Sequence, residues 1–224
     1  MRILSCLFIF LLLIVSPVFS APAYGPHMPE KNQFHLGGQV YSVQNRDLQG
    51  ENGSISSRQH FLLISYGVFD WLSLDLKGGV GNINHVPELQ QEQNYNSFMG
   101  GGYGFRLRLY ENDLDKIIFG FQHISVHPFS RIIDDIKHKA IIDDWQLSWL
   151  GSHQFKYATP YVGGKWSRMD LIHWVDGYRN RIKPENNIGA LVGVDVPLQD
   201  NIWLNLEAQF VDVEAYAGSI NFHF

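Results

Sequence analysis

Three groups of side chains in this 224-residue sequence have types and spacings that could do chemistry. The first is a set of charges placed singly among small and apolar residues. Asp75 and Lys77 stand in "WLSLDLKGGVG", Arg106 and Arg108 in "FMGGGYGFRLRLY", and Lys165, Asp195 and Glu207 follow. Such charges stay ionised by pairing with one another or by lining water, which makes either a salt-bridged plug or a ring that selects ions. The second group lies in "FGFQHISVHPFSR", where His123 and Ser125 share one face with Phe119 and Phe121. An imidazole can take a serine proton when an acid orients it, and Asp134 and Asp135 are the nearby candidates for that acid. The third group is His123, His127, His138 and His173 with Asp134, Asp135, Asp143 and Asp144. Imidazole and carboxylate suit several divalent metals. No spacing here matches a zinc pattern, so no metal is assigned, and no residue pattern implies a cofactor.

The elements that must carry these residues are strands. Apolar and polar side chains take turns along the chain, the signature of a strand with two unlike faces. Leu72, Leu74, Leu76 and Val80 oppose Ser73, Asp75 and Lys77. Met99, Tyr103, Phe105, Leu107 and Leu109 oppose Gly100, Gly102, Gly104, Arg106 and Arg108. Val192, Val194 and Val196 oppose Gly193 and Asp195, and Leu204 and Leu206 oppose Trp203, Asn205 and Glu207. The alternation predicts ten strands, over 33–44, 57–68, 71–84, 96–110, 116–127, 143–155, 158–172, 186–198, 201–211 and 214–224. Tight polar turns near 69–70, 111–115, 156–160 and 198–201 separate longer connections at 45–56, 85–95, 128–142 and 173–185. Short and long connections in turn fit an up-and-down barrel whose rims face different compartments. The expected fold is therefore all-β, a single antiparallel transmembrane barrel of about ten strands, with eight as the alternative.

Residues 1–20 read as a signal peptide. Arg2 precedes an apolar run from Ile3 to Val15, Pro17 ends it, and small residues allow cleavage after Ser20 or Ala23. Residues 21–32 are then a short N-terminal periplasmic segment and 33–224 the barrel. Removing the leader removes Cys6, the one cysteine, so no disulfide supports the fold. It also removes Arg2, leaving 16 basic against 22 acidic residues and a net charge of 16 − 22 = −6. That balance argues against a nucleic-acid partner, which needs a basic face.

Lipid rather than water is expected around this barrel. The polar rows hold Gly, Ser, Asn and Gln, which suit a crowded interior, and Tyr66, Trp71, Tyr110 and Trp203 lie beside short turns where aromatic girdles form. The last strand carries Tyr216, Gly218, Ile220, Phe222 and the terminal Phe224 in one row. This row resembles the C-terminal signal of bacterial outer-membrane β-barrel proteins. The resemblance implies a Gram-negative outer membrane, partners among its lipid and lipopolysaccharide, and recognition by the barrel-assembly machinery. It implies a structural, porin-like or narrow-channel role without enzymatic activity, and leaves the oligomeric state open. A second resemblance joins His123 and Ser125 to the His-x-Ser of outer-membrane lipid A deacylases, and implies a hydrolase at the outer leaflet. This chain departs from that pattern in having Val126 after the serine and Lys137 where the family has its acid. A third possibility is a surface-binding protein acting through the 128–142 and 173–185 loops.

Overall fold

The computed structural model describes residues 22–89 and 91–224. Twelve strands form one antiparallel sheet: β1 Phe34–Asp47, β2 Ser54–Phe69, β3 Leu72–Val86, β4 Gln93–Glu111, β5 Asp115–His127, β6 Arg131–Ile133, β7 Ile136–His153, β8 Thr159–Val175, β9 Tyr178–Ile182, β10 Ile188–Gln199, β11 Ile202–Phe210 and β12 Glu214–His223. Ten of them make the wall, because β6 pairs only with β7 and β9 only with β8. The wall closes on itself. β1 and β12 pair from His35 with His223 through Asn45 with Glu214, and Phe224 N–H donates to the Phe34 carbonyl at 3.0 Å. Closure matters because hydrocarbon offers no water to satisfy an open edge.

The short connections form as their sequences dictate. At the β4–β5 turn, the Asn112 side-chain oxygen accepts the N–H groups of Leu114 and Asp115 at 2.8 and 2.6 Å, a local alternative to strand pairing. The long connections differ from expectation. Residues 128–142 are not a loop, since β7 begins at Ile136 and pairs with β6 in a projecting hairpin. Most of 173–185 is likewise a hairpin, made by the end of β8 with β9. Strands continue there because backbone groups that leave the wall still need partners, and a hairpin supplies them.

The two faces separate in the expected sense along the half of the wall nearest the short turns. Leu36, Leu62, Leu74, Leu76, Val192 and Ile220 are exposed outward, while Asp75, Arg106, Asp195 and Glu207 are buried inside. Tyr110 and Trp71 sit at the outer rim as a girdle requires, and Trp71 stacks on Phe69. Trp203 does not join them. It is buried inside, stacked on His27 with ring centroids 4.3 Å apart. Its place in the inward row with Asn205 and Glu207 decides this.

Towards the long connections the phase reverses. Ile55, Phe61, Ile83, Tyr95, Ile124, Val126, Ile142, Met169 and Leu171 pack inside as one apolar cluster. On β5 the outward row passes from Ile117, Phe119 and Phe121 to His123, Ser125 and His127, as the inward row passes from Gln122 to Ile124 and Val126. Below the reversal the wall is dressed for lipid, and above it for water. Replacing Leu76 by Arg is expected to cost about 2–4 kcal/mol of folding free energy in lipid vesicles. Replacing Arg58, outward on β2 beside Ser42 and above the apolar row, by Gln is expected to stay within about 0.5 kcal/mol. Urea unfolding of the two variants measures the contrast, and equal small effects would take the lipid away from Leu76.

Candidate functional site

The interior is filled from two directions. Residues 22–32, expected as a periplasmic segment ahead of the barrel, lie inside it from the short-turn end. Arg106 holds them. Its guanidinium donates twice to Asp75, at 3.0 and 2.8 Å, and its Nη1 donates to the carbonyls of Tyr24, Gly25 and His27 at 3.2, 3.3 and 2.9 Å. The planar fork of arginine suits this combination of carboxylate and carbonyl acceptors. Lys77 stands over the Tyr24 ring at 4.2 Å and donates to Gln122 at 3.2 Å, and Gln122 in turn donates to the Pro22 carbonyl. Glu207 accepts the Ala23 N–H with both oxygens, at 3.0 and 3.2 Å, and the Tyr161 hydroxyl at 2.9 Å. Asn205 links Tyr161 to Asp195 with bonds of 2.9 and 2.7 Å. The leader and its cleavage after Ser20 lie outside the described residues. Cleavage after Ala23 would discard the residue whose N–H is tied to Glu207.

A second network descends from the long-connection end. Asp212, in the connection between β11 and β12, is buried and pairs with Lys165 at 2.9 Å and Arg46 at 3.6 Å. Arg46 also meets Asp144 at 3.0 Å and Ser167 at 2.9 Å. Two cations and two carboxylates balance here, which is the condition for keeping charges inside. Gly189 is required opposite them, because a Cβ there would collide with the Asp212 carboxylate. Two interior voids, beside Arg106 and beside Arg46, measure about 10 and 20 Å³, room for about one water each.

Among the residues singled out by sequence, Asp75, Lys77, Arg106, Lys165, Asp195 and Glu207 are thus brought together inside, in two layers. Arg108 is different. It is half-buried near the rim and pairs with Glu111 at 2.5 Å, because a bulge between Arg108 and Tyr110 interrupts the alternation. Sequence reasoning missed Arg46, Asp144 and Asp212 as members of the upper layer. In the sequence Asp144 stands among the metal candidates, and Arg46 and Asp212 lie where the alternation lapses near strand ends.

His123 and Ser125 face outward, on the part of β5 above the reversal. His123 Nε2 lies 2.6 Å from Asp143 Oδ1, and its ring packs against Trp145 and Tyr103. Ser125 shares a hydrogen bond of 2.9 Å with His127 and none with His123. Asp134 and Asp135 do not supply the acid. They are exposed at the β6–β7 turn, both with positive φ, and Asp143 takes that place because β7 pairs directly with β5. The four candidate metal-binding histidines are divided: His123 and His127 face out, while His138 and His173 meet inside at 3.4 Å beside Tyr95. Among the described residues no group of three or more His, Cys, Asp and Glu is arranged to hold a metal. His35 and His223 face each other inside across the seam, with ring centroids 5.4 Å apart.

Apolar side chains outside, paired ions inside and a closed wall are now all in view. The chain is a transmembrane β-barrel. Solved structures of similar fold include an outer membrane channel from Pseudomonas putida F1, with 8% identity over 92% of this chain and 100% of that one and a TM-score of 0.48. The translocator domain of the autotransporter NalP from Neisseria meningitidis has 11% identity over 89% and 90%, with a TM-score of 0.48. The outer membrane protease OmpT from Escherichia coli has 11% identity over 90% and 97%, with a TM-score of 0.46. No family model matches the barrel's sequence, and no curated protein matches it.

His27 sits at the short-turn mouth beside a cavity of about 190 Å³ that Lys116, Asp195, Trp203 and His223 also line. Loss of hydration, then the positive charges of Lys116 and Arg106, lower its pKa to about 4. A base held neutral in the docked segment favours docking fully above its free value of about 6.5 and loses that contribution as pH falls towards 4. Amide exchange of residues 22–32 is therefore expected to quicken between pH 6.5 and 4, after correction for intrinsic rates, and His27→Gln is expected to flatten the dependence. An unchanged pH profile in that variant would relieve His27 of the role.

Proposed function

We propose that this barrel is a plugged, non-enzymatic outer-membrane protein whose charged interior serves structure rather than conduction. The observation that carries the reading is Arg106, which spends one guanidinium on Asp75 and on three carbonyls of the inserted segment. A group that lined a conducting path would keep donors for water and ions. Removing one partner from a buried pair of this kind costs about 3–5 kcal/mol, so the plug is built to stay. The outer membrane is favoured because the wall is a β-barrel with a leader-like start and an aromatic C-terminal strand. In this reading Tyr216, Gly218, Ile220, Phe222 and Phe224, which form the outward row of the closing strand, are the address read by the assembly machinery.

Planar bilayers test the proposal. The intact mature protein is expected to show no conductance steps, and deletion of residues 22–30 is expected to produce them. Steps from the intact protein that shrink on changing Lys77 and Arg106 to Gln would replace the plug by a narrow channel.

A second reading has its own observation. Ser125 and His127 are hydrogen-bonded on the outward face, with Asp143 directly opposite Ser125 in register and bonded to His123. A serine beside an imidazole at the level where the wall leaves the lipid suits attack on an ester of a membrane lipid. If so, the intact barrel releases fatty acid from purified lipopolysaccharide, and Ser125→Ala and His127→Ala each abolish release. His123→Ala separates the pair seen here from the His123/Ser125 pairing expected from sequence. Absence of release from the intact protein leaves the structural reading alone.

A further inference from the structure

We infer that the outward face of β7, β8 and β9, just above the apolar belt, binds the phosphorylated headgroup of a glycolipid in the surrounding leaflet. The inference rests on the outer-membrane reading and adds the residues and the ligand chemistry. The pairing registers put Lys139, Trp174 and Arg179 side by side on three adjacent strands, and put Arg181 next to Ile172 one step lower. Arg168 lies lower still on β8, one outward position above the exposed Trp166. Four cations therefore share one outward face, about two strand spacings wide, that rises from Arg168, level with the exposed Trp145, to Lys139 and Arg179 beside Trp174; Asp143, opposite Asp170 in register, lies between and is bonded to His123.

These cations are underemployed within the protein. Lys139 and Arg179 both lie over the Trp174 ring, at 5.0 and 5.7 Å, and neither makes an ion pair among the described residues. Arg168 and Arg181 share one oxygen of Asp170 at 3.8 and 3.6 Å, distances that leave most of their donors free. Asp170 itself is 4% exposed along its side chain, so it holds the two guanidiniums in place from beneath and presents little negative charge to a ligand. Guanidinium forks match phosphate oxygens, and the apolar belt directly below matches acyl chains. A free phosphate would use the upper half of this surface alone. A phosphorylated glycolipid uses both halves, which is why the lipid is chosen as the occupant.

The test uses the mature barrel in detergent and three probes: bisphosphorylated lipid A, the same lipid enzymatically dephosphorylated, and inorganic phosphate. Native mass spectrometry and a binding titration are expected to show the bisphosphorylated lipid bound at least about tenfold more tightly than the dephosphorylated form, with inorganic phosphate a poor competitor. The variant K139Q/R168Q/R179Q/R181Q is expected to lose at least about tenfold in affinity, and R58Q/K156Q, which removes two exposed cations elsewhere, is expected to keep it. The single variants R168Q and R179Q serve if the fourfold change prevents folding, as judged by heat-dependent gel mobility. Equal binding of the two lipids, or full binding by the variants, would overturn the inference, and so would phosphate competing as well as the lipid. Membrane fractionation of producing cells reports on the outer-membrane reading separately. A barrel found in another membrane would sink that reading while lipid A binding in detergent still stood.

Discussion

Every backbone polar group of a strand in hydrocarbon must be paired, and this chain meets that constraint by joining its first strand to its last. The seam from His35–His223 to Asn45–Glu214 turns an open sheet into a closed wall. Closure fixes the rest. It gives each strand one face towards lipid and one towards a narrow interior, and it makes the filling of that interior a separate problem.

The problem is solved by material from both ends. Residues 22–32 enter beside the short turns and supply backbone carbonyls to Arg106 and an N–H to Glu207. Asp212 enters from the β11–β12 connection and pairs with Lys165 and Arg46. Between and above them an apolar cluster completes the packing. Some of these contacts tie together parts of the wall that do not pair directly: Arg46 on β1 meets Asp144 on β7, and Tyr161 on β8 meets Glu207 on β11. Their worth lies in fixing one arrangement of plug and wall. An ion pair gains little over an apolar pair of equal volume, but a lone buried charge is heavily penalised.

The reversal of phase along the strands connects this packing to the environment. Where Ile117, Phe119 and Phe121 face out, the interior holds the Arg106 and Glu207 networks and a small apolar cluster of Ala23, Met28, Ile118, Leu150, Tyr161 and Leu191. Where His123, Ser125 and His127 face out, the interior holds Ile124 and Val126. The same ten strands thus serve as a membrane barrel in one half and as a water-exposed barrel in the other. The outward polar cluster around Asp143 and the cationic surface around Trp174 both stand at or above this boundary, where a lipid headgroup and protein side chains can meet.

The alternation of apolar and polar residues determined the ten strands of the wall, their antiparallel order and the lipid-facing row along the half nearest the short turns, because period two is a local property of the backbone. It also determined that Asp75, Lys77, Arg106, Lys165, Asp195 and Glu207 share the interior. Tertiary structure decided what fills that interior. Nothing local in residues 22–32 marks them as a plug; they find their place only because Arg106, Gln122 and Glu207, distant in sequence, converge on one volume. Tertiary structure also chose Asp143 over Asp134 and Asp135 as the partner of His123, and His127 as that of Ser125, since pairing between β5 and β7 sets which side chains meet. Period two says which side of a strand a residue takes. Only the closed wall says what stands across from it.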